Sequence, residues 1–416
     1  MSTPTPTPTP APGVPRPAPA FAAPTPAAQG AVPTPMPAPV ATAPSGAGIV
    51  TAVGVDVLSM DNIDSVTDFY LWDTDDAEDL DHAMAFAGRD YALPVAGSGL
   101  EDFVFQLRKF IRTDGSMEEA RKHHDFNVDF EFEGRHYVYR VHRDLTATRK
   151  QLCLRRVSTQ VPRLSDLTLP LMWKDILLSR TLGVEGGLVI LAAKPGSGKS
   201  TTIAGMIRER LERFGGVART IEAPLEFPLQ NSWNRGVCFQ IPVDESLPRD
   251  QQFLLPLRAQ MRAYPTGVPS ILMVGEIRDQ ETAAEVINAS VGHLVITTMH
   301  AIDIETTIRR LCGWAGQVFG SEVAREMVSG AIRVVANQRL VRVGGKRVAE
   351  GEMLFSRGGY SSVASIIRSG NFEQLTGAIN EQQRKIEQAA KAQRDVDTFL
   401  NELSPNEKDA AKDKVQ

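Results

Sequence analysis

The amino-acid sequence predicts an α/β protein with a phosphate-binding loop, and three observations lead to this prediction. From about residue 171, apolar strand segments alternate with helical segments, which is typical of a parallel sheet. At 188–202 an apolar strand runs into a glycine-rich turn and then a helix. The segment 47–161 instead combines one amphipathic helix with alternating strands, which predicts a smaller α+β domain.

The composition limits the class of protein. The chain has 416 residues and a formal net charge of −5, which argues against bulk positive charge holding it on nucleic acid. Its three cysteines are isolated, which predicts neither a disulfide framework nor a zinc cluster and suits a reducing cytoplasm. No uncharged apolar run approaches the ~20 residues of a membrane-spanning helix. The start of the chain also lacks the basic and apolar regions of a secretory signal. We therefore expect neither a secreted nor an integral-membrane protein.

Both ends of the chain differ in composition from its centre. Residues 1–46 are a Pro/Ala/Thr tract whose only charge is Arg16, and proline at this density blocks helix and sheet pairing. We expect a flexible, partly polyproline II arm, favoured as a solvated tail over a tether or a ligand for an aromatic groove. The segment 346–416 is predicted to be a helical C-terminal region that ends in a charged, frayed tail.

The first domain is predicted to be an antiparallel sheet covered by a helix. Apolar residues recur at helical spacing over 100–113. Apolar and polar residues alternate over 126–132 and 136–142, and a third strand is expected over 151–157. Two prolines in the segment 162–170 predict a linker to the next domain.

The second domain, 171–345, is predicted to contain the parallel sheet. Four apolar segments are expected to be its strands: Gly187–Ala192, Val217–Glu222, Ser270–Val274 and His293–Thr298.

The strongest signal is the phosphate loop in the sequence LVILAAKPGSGKSTT at 188–202. Gly196 and Gly198 allow successive backbone N–H groups to converge on phosphates, and the following helix adds its positive N-terminal end. Lys199 is expected to reach the β- and γ-phosphates of a nucleotide and the Ser200 hydroxyl to ligate Mg²⁺. Ala193 stands where the usual pattern opens with glycine, and alanine fits there if its φ is negative. The predicted nucleotide-binding residues are Lys194, Pro195, Gly196, Ser197, Gly198, Lys199, Ser200 and Thr201.

Three further polar residues follow strands of the same predicted sheet. Glu222, Glu276 and His300 each come at the carboxyl end of a strand, where open α/β sheets bind their ligands. We expect them to converge on the γ-phosphate, where a carboxylate can hold a Mg²⁺-bound water or orient the attacking water. Glu226 is either a surface carboxylate or a member of this site.

Four motifs, which occur in a fixed order, carry a resemblance to a known family. The phosphate loop, IEAPLEF at 221–227, VGEIRD at 274–279, and GHLVITTMH at 292–300 followed by TTIRRL resemble the Walker A, Asp-box, Walker B and His-box motifs of the secretion ATPase superfamily. That superfamily includes the PilT, GspE and VirB-type motors of pili and of type II and type IV secretion. The resemblance implies a PAS-like N-terminal domain followed by a RecA-like ATPase domain, with ATP and Mg²⁺ bound between the two domains of hexameric rings.

The resemblance also implies roles for individual residues. Glu276 matches the Walker B glutamate, which with Ser200 would hold Mg²⁺, and Glu222 matches the Asp-box glutamate. Either glutamate would polarise the attacking water. His293 and His300 match the His-box pair, and for His293 a functional role is favoured over that of a packing histidine at the start of a strand. The family further supplies an arginine from the N-terminal domain to the γ-phosphate, for which the candidates are Arg143, Arg149 and Arg155.

The form of the motifs favours one branch of the superfamily. Ala223 follows the first Asp-box glutamate, and this form resembles the DotB/TraJ branch that serves type IVB secretion and conjugation. The sequence also has no four-cysteine metal module, which most pilus-assembly and type II members carry.

The expected function is that of a hexameric cytoplasmic ATPase, peripheral at the inner membrane, which powers such an apparatus. Its expected partners are platform proteins of the inner membrane and possibly other secretion ATPases, with no specific nucleic-acid binding. The alternatives are a type IV pilus retraction motor, a nucleotide-gated docking scaffold with little turnover, and, as the least favoured class, a small-molecule kinase.

Overall fold

The computed structural model describes residues 56–403, except 75, 77–78, 89–90, 119–120, 122–123, 159, 184–185, 245, 344–345 and 360. The arm predicted at 1–46 and the tail at 404–416 lie outside the described residues.

The first part of the chain forms a six-stranded antiparallel sheet. Its strands are β1 (Asp68–Trp72), β2 (Met84–Phe86), β3 (Leu93–Pro94), β4 (Asp125–Phe132), β5 (Arg135–Leu145) and β6 (Lys150–Val157). Their order is β3-β2-β1-β6-β5-β4. The three strands predicted from alternation are β4, β5 and β6, and the sequence analysis missed the short strands β1 to β3.

One helix, α1 (Glu101–Thr113), covers one face of this sheet, as predicted. Its apolar face is buried, and the ring of Phe103 lies with its centroid 4.9 Å from that of Tyr137 and 5.2 Å from that of Phe132. Strand side chains alternate between this core and the opposite, polar face, so the period of two in the sequence reflects one buried face.

The second sheet has eight strands, and its centre is parallel. The strands are β7 (Gly187–Ala192), β8 (Gly216–Glu222), β9 (Asn231–Trp233), β10 (Gly236–Pro242), β11 (Ser270–Val274), β12 (Leu294–Met299), β13 (Ile332–Val343) and β14 (Lys346–Phe355). The order is β14-β13-β7-β12-β11-β8-β10-β9, in which only the edge strands β14 and β9 pair antiparallel. The four predicted strands are therefore neighbours, and their bounds agree to within one residue at each end.

Helices lie on both faces of this sheet. They are α2 (Trp173–Leu177), α3 (Lys199–Phe214), α4 (Arg249–Gln252), α5 (Leu254–Gln260), α6 (Gln280–Ala289), α7 (Ile304–Phe319), α8 (Ser321–Ala331), α9 (Ser362–Ser369), α10 (Gln374–Lys391) and α11 (Val396–Leu403). Along β7, Leu188 and Ile190 enter one apolar core, whereas Val189 and Leu191 enter the other. This burial on both faces explains why the parallel strands are continuous apolar runs in the sequence. Among the described residues, no helix has the length and apolarity needed to cross a membrane.

The region predicted to be helical from residue 346 begins with a strand, and this part of the prediction was wrong. β14 pairs with β13 along its whole length, from Val334 opposite Phe355 to Val343 opposite Lys346. The polar and charged residues of this hairpin obscure the period of two in the sequence. The helices α9 to α11 then follow, as predicted.

Other parts of the chain form hydrogen bonds with backbone groups at the outer edge of β14. The Gln382 side chain on α10 accepts a hydrogen bond from Phe355 N–H at 2.8 Å and donates one to Phe355 C=O at 2.9 Å. Near the other end of the strand, Ala349 N–H donates to Thr168 C=O at 3.1 Å. Thr168 belongs to the predicted linker. Leu164, in the same linker, is buried against α3.

Gly351 allows a tight contact in the hairpin, and its substitution tests the fold. A Cβ at this position would lie 2.0 Å from the carbonyl oxygen of Asn337 and 3.0 Å from the ring of Trp173. We expect Gly351→Ala to lower the free energy of unfolding by about 1–3 kcal/mol, measured by urea denaturation. Gly377→Ala is the matched control, because Gly377 lies in α10 with nothing within 4 Å of its Cβ position. The control should stabilise by about 0.5–1 kcal/mol, and equal effects of the two variants would contradict this packing.

Candidate active site

The phosphate loop connects the buried end of β7 to the first turn of α3. Gly196 has φ 73° and Gly198 has φ 81°, in the left-handed region that favours glycine. Ala193 keeps a negative φ and is 2% exposed, and its N–H donates to Met299 C=O at 3.2 Å. Alanine therefore replaces the usual glycine without backbone strain.

Lys199 is a buried cation at the start of α3. Its side chain is held across the loop, with Nζ 3.2 Å from the carbonyl oxygen of Ala193 and 3.1 Å from that of Lys194. Burial lowers the pKa of Lys199, which the charges of Glu276 and Glu226 oppose. Within the described part of the chain, no carboxylate forms an ion pair with this ammonium group. A buried ammonium that is bound only by neutral carbonyls fits a loop that takes an anionic phosphate.

The remaining predicted loop residues surround this lysine. Ser197 is buried, and its hydroxyl donates to Lys194 C=O at 2.6 Å. Ser200 and Thr201 are partly buried in the first turn of α3, whose leading N–H groups have no partners inside the helix. Pro195 is exposed.

Glu276 and His300 meet beside the loop. Glu276 follows β11, with its side chain 15% exposed, and its Oε1 lies 3.4 Å from Nε2 of His300. The other ring nitrogen of His300, Nδ1, lies 3.2 Å from the carbonyl oxygen of Ala193. Arg278 donates from Nε to Oε2 of Glu276 at 2.8 Å. The histidine thus connects the carboxylate to the loop, whereas the convergence of Glu222, Glu276 and His300 on a γ-phosphate stays a prediction.

Glu222 ends the neighbouring strand, β8, and is 7% exposed. The N–H of Gly275 donates to Ile221 C=O at 2.8 Å, which places Glu222 next to the start of the Glu276 segment. Burial raises the pKa of Glu222, and the like charge of Glu226 acts in the same direction. A hydrogen bond of 3.0 Å from the Gln240 amide to Oε1 opposes this shift. Glu226 is exposed, and its charge also acts on Lys199.

The residues present fit Mg²⁺ only as part of a nucleotide complex. Among the residues that the structure describes, no three His, Cys, Asp or Glu side chains are grouped as a metal site. Mg²⁺ commonly binds through phosphate oxygens and water with one or two protein oxygens. Ser200 and Glu276 can supply such oxygens from the two sides of the loop.

His293 lies away from this site within the chain, and its predicted catalytic role stays a prediction. It precedes β12, whereas His300 follows it. The six residues of the strand lie between the two histidines and separate them by roughly 23 Å. At the opposite edge of the sheet, its Nδ1 lies 2.7 Å from the Ser270 hydroxyl and its ring stacks on Tyr264, with centroids 4.4 Å apart. Burial lowers the pKa of His293. The spacing in sequence does not reveal that a strand carries the two histidines to opposite edges.

The arginine candidates are bound inside the first domain. Arg143 forms an ion pair with Asp73 at 2.9 Å, and its guanidinium lies over the Phe126 ring. Arg149 pairs with Asp79 at 3.1 Å.

Arg155 is the most exposed of the three, with 73% of its side chain accessible. It donates from Nε to Asp68 at 2.8 Å; this bond, with the nearby charge of Glu226, raises the pKa of Arg155. No contact described here joins any of the three arginines to the phosphate loop.

Sequence reasoning missed three residues that support the site. Gln240 contacts Glu222, Arg278 contacts Glu276, and the buried Gln338 of β13 contacts the phosphate loop. The sequence could have indicated Gln338, since an uncharged polar residue follows the apolar part of a strand there.

Several known proteins are similar in sequence to this chain. The family model described as "Type II/IV secretion system protein" matches residues 100–406. The twitching motility protein of Neisseria gonorrhoeae is 29% identical over 61% of this chain and 64% of that protein. The type IV pilus retraction ATPase PilT of Pseudomonas aeruginosa is 32% identical over 51% of this chain and 59% of its own length. The chain thus spans less than two thirds of the length of these relatives.

Two solved structures share the fold. The pilus retraction motor PilT with bound ADP has a TM-score of 0.60 at 24% identity, covering 85% of this chain and 98% of PilT. The Legionella pneumophila ATPase DotB has a TM-score of 0.55 at 24% identity, covering 80% of this chain and 90% of DotB. The predicted resemblance and fold class, a smaller α+β domain followed by a RecA-like α/β domain, are confirmed.

The buried carboxylate of Glu222 leads to a prediction about stability. A carboxyl group whose pKa is raised on folding destabilises the folded state when ionised, at pH values above its usual pKa of 4.5. Glu222→Gln should therefore raise Tm at pH 8 by roughly 2 °C, and this gain should shrink as the pH falls towards 4.5. Thermal unfolding at several pH values measures it, with the exposed Glu118→Gln as control. A decrease in Tm at pH 8 would contradict the burial of an ionised group.

The separation of the two histidines leads to a second prediction. His300→Gln should weaken binding of Mg²⁺–ATP about fivefold, because it loses a group that contacts both the loop and Glu276. His293→Gln should leave the Kd unchanged within about twofold. Fluorescence titration with a labelled ATP analogue measures both variants, and equal weakening would place His293 in the site after all.

Proposed function

Since the chain belongs to the type II/IV secretion system protein family, we propose that it is an ATP hydrolase of a macromolecular transport machine. The observation that carries this proposal is the meeting of Lys199, Glu276 and His300 beside one phosphate loop. A nucleotide-binding loop alone does not identify a reaction. A carboxylate placed next to the loop adds a group that can activate water.

Each residue has a role in the proposed reaction. The N–H groups of the loop and of the first turn of α3 bind the phosphates, and Lys199 leaves its carbonyl partners to bind the β- and γ-phosphates. Ser200 and Glu276 would hold Mg²⁺, which would neutralise charge on the transferred phosphoryl group. Glu276 orients the attacking water, and His300 holds this carboxylate against the loop. Glu222, whose raised pKa suits a proton acceptor, is the alternative base.

We propose that hydrolysis moves the first domain against the ATPase domain in a homo-hexamer. The resemblance to the secretion ATPases, which implies hexameric rings, supports this proposal. In the single chain, the candidate arginines form ion pairs within their own domain. Arg155 is the preferred candidate because it is exposed, and Arg143 is the second. The proposed location is the cytoplasmic face of the inner membrane. The proposed partners are platform proteins and other secretion ATPases, with no specific nucleic-acid binding.

The apparatus that we propose is a type IV system, of the IVB secretion or conjugative kind. The EAPLEF form of the Asp box, with Ala223, supports this branch. A type IV pilus retraction motor is the second candidate. It is favoured by the identity of 32% to PilT and by the higher TM-score of that structure.

A docking scaffold with little turnover is the other alternative. Ala193 and Ala223 depart from the usual motifs, and these departures favour a chain with little turnover. Because Ala193 adopts a negative φ, the first of these does not impair the loop. Ion-pair and hydrogen-bond partners hold Glu276 in place, which also favours the hydrolase.

Hydrolysis by the full chain tests the proposal. Lys199→Ala should lower kcat/KM for ATP at least about 100-fold, because it removes the cation that meets the transferred phosphoryl group. Glu276→Gln should lower kcat to a similar degree and leave the Kd for ATP within about threefold. Glu285→Gln is the matched control, since this carboxylate lies in the following helix and pairs with Arg258.

The second experiment measures ATP hydrolysis as a function of protein concentration. Specific activity that rises cooperatively with concentration supports intersubunit sites. Negligible turnover with tight ATP binding in the unsubstituted chain would favour the scaffold. Unchanged turnover in Lys199→Ala would overturn the assignment of the site.

A further inference from the structure

A buried glutamine of β13 contacts the phosphate loop from outside the nucleotide-binding motif. Strand β13 lies beside β7, with Asn337 opposite Ala192, so Gln338 comes next to the loop. Gln338 is 2% exposed. Its Nε2 donates to Ser197 C=O at 2.8 Å, and its Oε1 accepts from the Thr202 hydroxyl at 3.0 Å.

The two partners determine the orientation of the Gln338 amide. The carbonyl oxygen of Ser197 can only accept, so the NH₂ group of the amide has to face it. The amide oxygen then faces the hydroxyl of Thr202, which can donate. Rotation of the amide by 180° would place two acceptor oxygens against each other. The Gln338 amide can therefore act only as a donor towards this peptide of the loop.

This bond also orients the next N–H group. In a trans peptide unit, the C=O of one residue and the N–H of the following residue point in opposite directions. When Gln338 holds Ser197 C=O towards β13, the N–H of Gly198 points away from β13. In a phosphate loop, the N–H groups that bind phosphate are those that face the inside of the loop.

Without this bond, little in the local backbone would hold the peptide in place. Gly198 has φ 81° and no side chain, so rotation of the preceding peptide meets little steric resistance. A Cβ at Gly198 would lie only 3.1 Å from Nε2 of Gln338. Glycine at this position thus both allows the close approach of the amide and leaves the peptide dependent on it.

The geometry points to Gln338 as a positioning residue that holds the Ser197–Gly198 peptide in the orientation that binds phosphate. The inference rests on the proposed function, since it concerns binding of nucleotide phosphates by the same loop. Gln338 itself does not touch the nucleotide in this arrangement. It acts through Ser197, with Thr202 holding the amide in place.

The test compares two buried glutamines of the full-length chain. Gln338→Leu removes the donor to the loop. Gln382→Leu is the matched control, because this amide is also buried and also forms two hydrogen bonds, to Phe355 on the partner strand β14. The Kd values for Mg²⁺–ATP and Mg²⁺–ADP are measured by fluorescence titration, and Tm is measured for each variant.

We expect Gln338→Leu to raise both Kd values about tenfold, the effect of one hydrogen bond to a charged group. Gln382→Leu should lower Tm to a similar extent and leave the Kd values within about twofold. Thr202→Val should weaken binding about threefold, since it removes one of the two bonds of the amide. This milder variant keeps the test valid if Gln338→Leu does not fold.

Three results would overturn the inference. The first is that Gln338→Leu and Thr202→Val both bind nucleotide as tightly as the unsubstituted chain. Alternatively, Gln382→Leu could weaken binding as much as Gln338→Leu, which would show a general loss of stability. If the unsubstituted chain fails to bind Mg²⁺–ATP, the proposed function and this inference fail together. The first two results leave the proposed function intact.

Discussion

The burial of the parallel sheet on both faces is the constraint on which the rest of the structure depends. Along β7, alternate side chains enter two separate apolar cores, so no position within the strand is free to serve a polar function. Polar chemistry is therefore confined to the strand ends. Because parallel strands place their carboxyl ends at one edge, Lys199, Glu276 and His300 meet there although about a hundred residues of chain lie between the first and the last.

The same constraint makes the site electrostatically unfavourable before a nucleotide binds. The ammonium of Lys199 and the carboxyl of Glu222 are both buried, and burial shifts the pKa of each towards its uncharged form. Neighbouring carbonyls and the Gln240 amide compensate in part through hydrogen bonds. The apolar cores stabilise the fold against this cost. A polyphosphate would offer Lys199 a direct ion pair, which the described residues do not provide.

The parallel sheet, and the edge of the sheet that carries the candidate site, could be predicted from the sequence because both depend on local patterns. Continuous apolar runs identified the central strands, and the residue after each run identified Glu222, Glu276 and His300. Features that depend on distant contacts were missed. The polar hairpin partner β14 was taken for helix because its pairing with β13, not its own pattern, makes it a strand. Gln338 was overlooked because its contact with Ser197 joins residues 141 positions apart. The position of His293 at the opposite edge was missed because spacing along a strand says nothing about which edge each residue reaches.

Both margins of the large sheet are partly protected from pairing with additional strands. On one side, β9 has only three residues, which presents very little backbone for pairing. On the other side, the Gln382 amide occupies both polar groups of Phe355, and Thr168 occupies the N–H of Ala349. A glutamine side chain thus substitutes for the strand that an open margin would recruit. This partial occupation lowers the tendency of the sheet margin to pair with other chains and to grow into an aggregate.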